Sequence, residues 1–184
     1  AVGYFSPSYT LGNMISIFIA PISLYIPTVL PKYYDDHQIE EVKKMLGISF
    51  KYFMALAIPS AFGLSILARQ ILTVLSTSEI ASNGYLVTPF IALSSIFFGA
   101  YVITAQVLVL QKRTAVIGSA WVIAAILNLS LSIILIPLMG ILGAAIASLL
   151  SFALAFAITA YYSNRFLKIK FDMLFLVKSI LASA

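Results

Sequence analysis

Few polar side chains interrupt the long apolar runs of this sequence, so each one is a candidate for chemistry. Tyr9, Asn13, Ser16 and Ser23, with Ala20 among them, recur at steps of four and three. That spacing puts side chains on one face of a helix. A phenol, an amide and hydroxyls offer neutral hydrogen bonding and no charge. Two readings stand for this face: the wall of a water-filled cavity, or a small-residue surface packed on a neighbouring helix with its serines bonded to their own backbone. Asn128 lies near the middle of another apolar run, where an amide is expected to bond across to a neighbouring helix. Gly143, Ala147, Ser151, Ala155 and Thr159 make a stripe at a spacing of four, beside a second row of Gly140, Ala144 and Ser148. Small residues so spaced let helix backbones approach closely, and interhelical packing is the expectation for them.

Catalysis has no visible apparatus. The chain has one histidine, His37, and no cysteine. There are no paired carboxylates, no nucleophile beside a base, no phosphate-binding loop and no metal-ligand cluster. No acidic residue falls inside an apolar run, which weighs against a proton or sodium site in this chain. The protein is expected not to be an enzyme and to need neither cofactor nor metal.

The class follows from how little charge there is. The chain of 184 residues is 62% hydrophobic and 9% charged, with a mean hydropathy of +1.07. Soluble domains carry about 25% charged residues, so the expected fold is an all-α polytopic membrane bundle. The net charge of +5 does not imply a nucleic-acid partner, because the basic residues sit in short clusters between apolar runs, the pattern that orients membrane helices.

A span needs roughly 20 apolar residues, and five runs qualify: 9–30, 52–75, 86–110, 115–138 and 141–162. The last two come from a single charge-free tract, Thr114 to Asn164. As one helix it would reach roughly 75 Å at about 1.5 Å per residue, more than a bilayer holds. It must fold back, and the breakers near its middle are Pro137 and Gly140. Arg69, well into the second run, is expected to snorkel to the headgroups.

Lys and Arg concentrate in alternate connections: Lys32, Lys43, Lys44 and Lys51; then Lys112 and Arg113; then Arg165, Lys168, Lys170 and Lys178. By the positive-inside rule the connections 31–51, 111–114 and 163–178 are cytoplasmic and the first residue lies outside. Within the first connection, Ile39, Val42, Leu46 and Phe50 share a face, with Glu40 and Glu41 early and Lys43 and Lys44 later. This reads as an interfacial amphipathic helix over about 36–50 that leads into the second span. The aromatic and lysine-rich segment 165–184 reads as interfacial or as the start of a further span. The chain begins without Met and ends within an apolar run, so it is expected to be an internal fragment of a larger protein.

The stretch "AILNLSLSIILIPLMGILGAAIASLLSF" resembles the polysaccharide (lipid-linked oligosaccharide) flippases of the multidrug/oligosaccharidyl-lipid/polysaccharide exporter superfamily. Asn128, Pro137, Gly140, Gly143, Ala144 and Ala145 match the pattern of that family, and Ser132 stands where a second Asn often falls. "AVGYFSPSYTLGNM", "VLPKYYDDHQIEEVKKML", "IPSAFGLSILARQILTVL" and "AQVLVLQKRT" are similar to successive family segments, with Gln111 in place of a Gly. The resemblance implies most of the second six-helix bundle of a 12–14-helix flippase. It implies a polyprenyl-diphosphate-linked oligosaccharide carried from the cytoplasmic to the outer leaflet of the cell membrane by alternating access. The lipid bilayer, the lipid-linked glycan and glycan-polymerising membrane proteins are its expected partners. Only the first span would then face the central cavity, through Tyr9, Asn13, Ser16 and Ser23. The cations that hold the diphosphate would lie upstream of Ala1. The alternatives are a multidrug or cation antiporter of the same superfamily and a non-transporting membrane scaffold for glycan assembly.

Overall fold

The computed structural model describes residues 2–75 and 84–167. Among these residues there are helices and tight connections and no strands, and five helical rods are long and apolar enough to cross a membrane: Ser6–Asp35, Ile39–Val74, Val87–Leu110, Thr114–Met139 and Ile141–Phe166. They are called the first to fifth spans below. The segment from 168 onward, including Lys168, Lys170 and Lys178, lies outside the described residues.

The first span is broken in a specific way. An α-helix, Val2–Asn13, gives way to a 3-10 stretch, Met14–Ile19, and then to a second α-helix, Ala20–Asp35. Pro21 has no N–H to offer the Ile17 carbonyl four residues back. That carbonyl accepts instead from the N–H of Ala20, three residues on, which tightens the turn.

The second span differs from the sequence expectation. The interfacial helix suggested for 36–50 is no separate element. The helix begins at Ile39 and runs unbroken to Leu75. Val42, Leu46 and Phe50 are buried in the protein core beside Ile26 and Leu30 of the first span, not laid on a membrane surface. Its 37 residues exceed the roughly 20 that cross a bilayer core. The end carrying Glu40, Glu41, Lys43 and Lys44 therefore projects from the hydrocarbon, and there Lys43 pairs with Glu40 at 2.7 Å and Lys44 with Glu41 at 3.7 Å.

Burial ranks the spans. In its most apolar stretch the third span is 61% buried and the fourth 6%, so the bundle is built around the third and the fourth is a peripheral helix. The third packs on the first, second and fifth, and the fifth bridges the third and fourth. The stripe Gly143, Ala147, Ser151, Ala155 and Thr159, extended by Ser163, is the buried face of the fifth span. Thr104 of the third span and Thr159 of the fifth, both fully buried, lie with their hydroxyls 3.1 Å apart. Each hydroxyl is also near carbonyls of its own helix. Two hydroxyls have two protons, so one bonds across and the other turns to its own backbone.

The hairpin between the fourth and fifth spans turns on one residue. Gly140 has φ 61°, ψ −135° and is flanked by helix on both sides. Its N–H donates to the carbonyl of Ile136 at 2.8 Å. Pro137 lies within the last turn of the fourth span. A methyl group at Gly143 would overlap the Leu135 carbonyl, and one at Gly99 would overlap the Phe53 ring.

At the end bearing the basic connections, the loops are tied together. The Gln111 side-chain N–H donates to the Tyr34 hydroxyl at 2.8 Å. The Arg113 guanidinium lies 4.4 Å from the centroid of the Phe166 ring. Gly99→Leu, which drives a side chain into the fully buried Phe53, is expected to lower stability by about 1–3 kcal/mol. Thr159→Val, which removes one interhelical hydrogen bond, should cost about 0.6 kcal/mol. Thermal unfolding of the detergent-solubilised protein should show the glycine variant with the larger fall in Tm.

Candidate functional site

The polar face of the first span meets the third span because Gly12 has no side chain. A methyl group there would sit 2.8 Å from Cβ of Ile91 and 2.9 Å from the carbonyl oxygen of Thr88. The closeness brings the next residue, Asn13, within reach of the third span. Oδ1 of Asn13 accepts from the hydroxyl of Ser16 at 2.8 Å and from that of Ser95 at 3.3 Å. The Ser95 hydroxyl is 3.5 Å from the Gly12 carbonyl, the limit of a hydrogen bond, so its proton is better placed on Asn13. With Oδ1 engaged twice, the two N–H donors of the Asn13 amide remain for other acceptors.

These residues edge a cleft of about 250 Å³, lined by Tyr9, Asn13, Ser16, Ser94, Ser95, Phe98 and Phe152. The first, third and fifth spans each contribute. The aromatic side is braced from behind. Phe98 and Phe152 meet edge to face at 5.5 Å between ring centroids, and Trp121 meets Phe152 at 6.0 Å and Phe98 at 6.4 Å. Trp121 in turn donates its indole N–H to the Tyr101 hydroxyl at 2.6 Å. Aromatic contacts of this kind fix ring orientation.

Tyr9, Asn13 and Ser16 come together on this cleft. Ser23 does not line it. Its hydroxyl donates to the carbonyl of Ala20 at 2.8 Å. The 3-10 stretch explains the difference. Each of its six residues advances about 120° rather than about 100°, so residues beyond it rotate away from the face begun at Tyr9. Asn128, expected to bond to a neighbouring helix, is half-buried on the fourth span and makes no side-chain hydrogen bond among the described residues. Gly143, Ala147 and Ser151 lie on the buried side of the fifth span, and Ser151 donates to the Ala147 carbonyl at 2.7 Å.

Ser94, Ser95, Phe98 and Phe152 were not singled out from sequence. Thr88 and Ser95 are seven residues apart, two helical turns, on the buried side of the third span, and that pairing in so apolar a run was a usable signal. Phe152 carried none, since a phenylalanine in an apolar span reads as lipid-facing. Behind Gly12, the Thr88 hydroxyl is buried without a hydrogen-bond partner among the described residues.

The lining has no charged side chain, and no group of three or more His, Cys, Asp or Glu able to hold a metal occurs among the described residues. The arrangement is suited to holding a neutral, hydrogen-bonding group against an aromatic wall. Proton transfer would need a base that this lining does not contain.

Fold and cleft together define a polytopic helical membrane protein with an open, uncharged cleft between its spans, mainly apolar with a few hydrogen-bonding groups. Over 171 residues the chain is 27% identical to the probable low-salt glycan biosynthesis flippase Agl15 of Haloferax volcanii, a match covering 93% of this chain and 36% of that protein. The chain thus spans little more than a third of the length of this relative. No family model matches the chain, and no solved structure matches it.

Because the chain has no cysteine of its own, the Asn13–Ser95 contact can be tested by crosslinking. In the double variant Asn13→Cys/Ser95→Cys, mild oxidation is expected to abolish labelling by a maleimide polymer. Adding Gly12→Leu, which forces the two spans apart, should restore labelling.

Proposed function

We propose that the protein carries a lipid-linked glycan across the membrane, moving a polyprenyl-diphosphate-linked oligosaccharide from the cytoplasmic to the outer leaflet by alternating access. The observation that carries this reading is the similarity to a glycan biosynthesis flippase along 93% of the chain. The cleft supports it, since its amide and hydroxyls match the hydrogen-bonding chemistry of a glycan. In this reading Tyr9, Asn13 and Ser16 face the transported group, and the glycan-polymerising machinery is a neighbour in the membrane. An antiporter for cations would call for carboxylates within its spans. The acidic residues among those described, Asp35, Asp36, Glu40 and Glu41, are grouped around the first connection.

In this reading the protein lies in the cell membrane and its basic connections, tied at one end of the bundle by the Tyr34–Gln111 and Arg113–Phe166 contacts, face the cytoplasm. Single cysteines test the orientation. A membrane-impermeant thiol reagent added to whole cells is expected to label Met139→Cys and to spare Gln38→Cys and Thr114→Cys until the membrane is opened.

The transport reading is tested with the purified protein in vesicles holding a fluorescent polyprenyl-diphosphate oligosaccharide. Label should become accessible at the opposite leaflet faster than in protein-free vesicles. No gain over protein-free vesicles would sink transport and favour a scaffold.

A further inference from the structure

We infer that the cleft between the first, third and fifth spans is a subsite for a single neutral sugar ring, taking part of the glycan rather than the diphosphate; this rests on the glycan reading above. Four features of the cleft point to it. Its lining is uncharged, so a diphosphate would find no counter-charge there. Its volume of about 250 Å³ falls below the roughly 300–1,000 Å³ of pockets for drug-sized ligands, which suits one ring and not an oligosaccharide. Its lining combines two kinds of group. Phe98 and Phe152 present an aromatic surface, while Asn13, Ser16 and Ser95 present an amide and hydroxyls. A pyranose offers a partner to each, a face of C–H groups and a rim of hydroxyls. Last, the Asn13 amide keeps two N–H donors for an acceptor, because Ser16 and Ser95 engage only its oxygen.

Other occupants fit less well. An acyl chain would strip water from the Asn13 amide and return no hydrogen bond. A metal or alkali cation would find no carboxylate, and the amide oxygen it would seek already accepts from two hydroxyls. The aromatic wall is held in place by Trp121 and its bond to Tyr101, so a ring can stack there without first ordering the phenyl groups.

The same brace supplies the readout. Trp121 is the only tryptophan in the sequence, and it packs against both phenyl groups. The intact protein in phosphatidylcholine nanodiscs is titrated with methyl glucoside, methyl mannoside and methyl N-acetylglucosaminide, and separately with inorganic diphosphate. The signal is the emission lost on Trp121→Phe. At least one glycoside is expected to give a saturable change in the millimolar range, and diphosphate none. Asn13→Ser should weaken the binding about fivefold, the worth of roughly one hydrogen bond. Phe152→Leu, close to the original in volume, should weaken it by at least as much.

No saturable change with any glycoside overturns the proposal, as does a change that diphosphate reproduces or that survives both substitutions. The vesicle assay separates the two readings. Translocation without glycoside binding removes the sugar subsite and leaves the flippase standing. Glycoside binding without translocation keeps the subsite and removes the flippase.

Discussion

Hydrocarbon gives helices no reward for hiding apolar surface from it, because lipid tails are as apolar as leucine. Association must come from close van der Waals contact and from hydrogen bonds between helices. In this bundle the closest contacts fall where a side chain is missing. Gly12 lets the first span reach Ile91 and Thr88, Gly99 admits the Phe53 ring of the second span, and Gly143 lies on the Leu135 backbone of the fourth. Other contacts accompany them. With Gly12 seated, Asn13 reaches Ser95. With the fifth span drawn in along its small-residue face, Phe152 reaches the cleft and Thr159 reaches Thr104.

The cleft is therefore a by-product of tight packing one turn away from it. The first span touches the third at Gly12 and then changes pitch at Met14, leaving space beside Asn13 and Ser16. The polar groups at that space are largely satisfied among themselves and with their own backbone: Ser16 and Ser95 on Asn13, Ser94 on Ile91. What is left over is the amide N–H pair of Asn13. The site therefore offers hydrogen bonds without charge.

The class of fold could be read from composition, because a chain with 9% charged residues cannot coat a soluble surface and long apolar runs with basic junctions have one common meaning. The fold-back within the charge-free tract needed only length and bilayer thickness. The ranking of the spans could not be read. The third and fourth are equally plain to the eye, yet one is central and the other peripheral. The difference lies in where small residues find partners: Gly99 faces the Phe53 ring, while a methyl group at Gly118 would meet open space. Helical periodicity groups Tyr9, Asn13 and Ser16, which line one cleft, whereas a constant 3.6-residue turn cannot anticipate the 3-10 stretch beyond which Ser23 bonds to its own helix. Val42, Leu46 and Phe50 shared a face as expected, but amphipathicity alone does not tell whether that face meets lipid headgroups or another helix.

The two contacts at the basic end have a mechanical meaning. Tyr34 closes the first span, Gln111 and Arg113 bracket the junction of the third and fourth, and Phe166 closes the fifth. A hydrogen bond of 2.8 Å does not survive a slide of one helical turn, about 5.4 Å. A slide of one turn at that end would break the tie, so these contacts hold the register of the first, third and fifth spans there. At the opposite end the chain turns at Gly140 and the fourth span packs back along the fifth, which itself lies on the third, so the hairpin is held as one piece against the bundle.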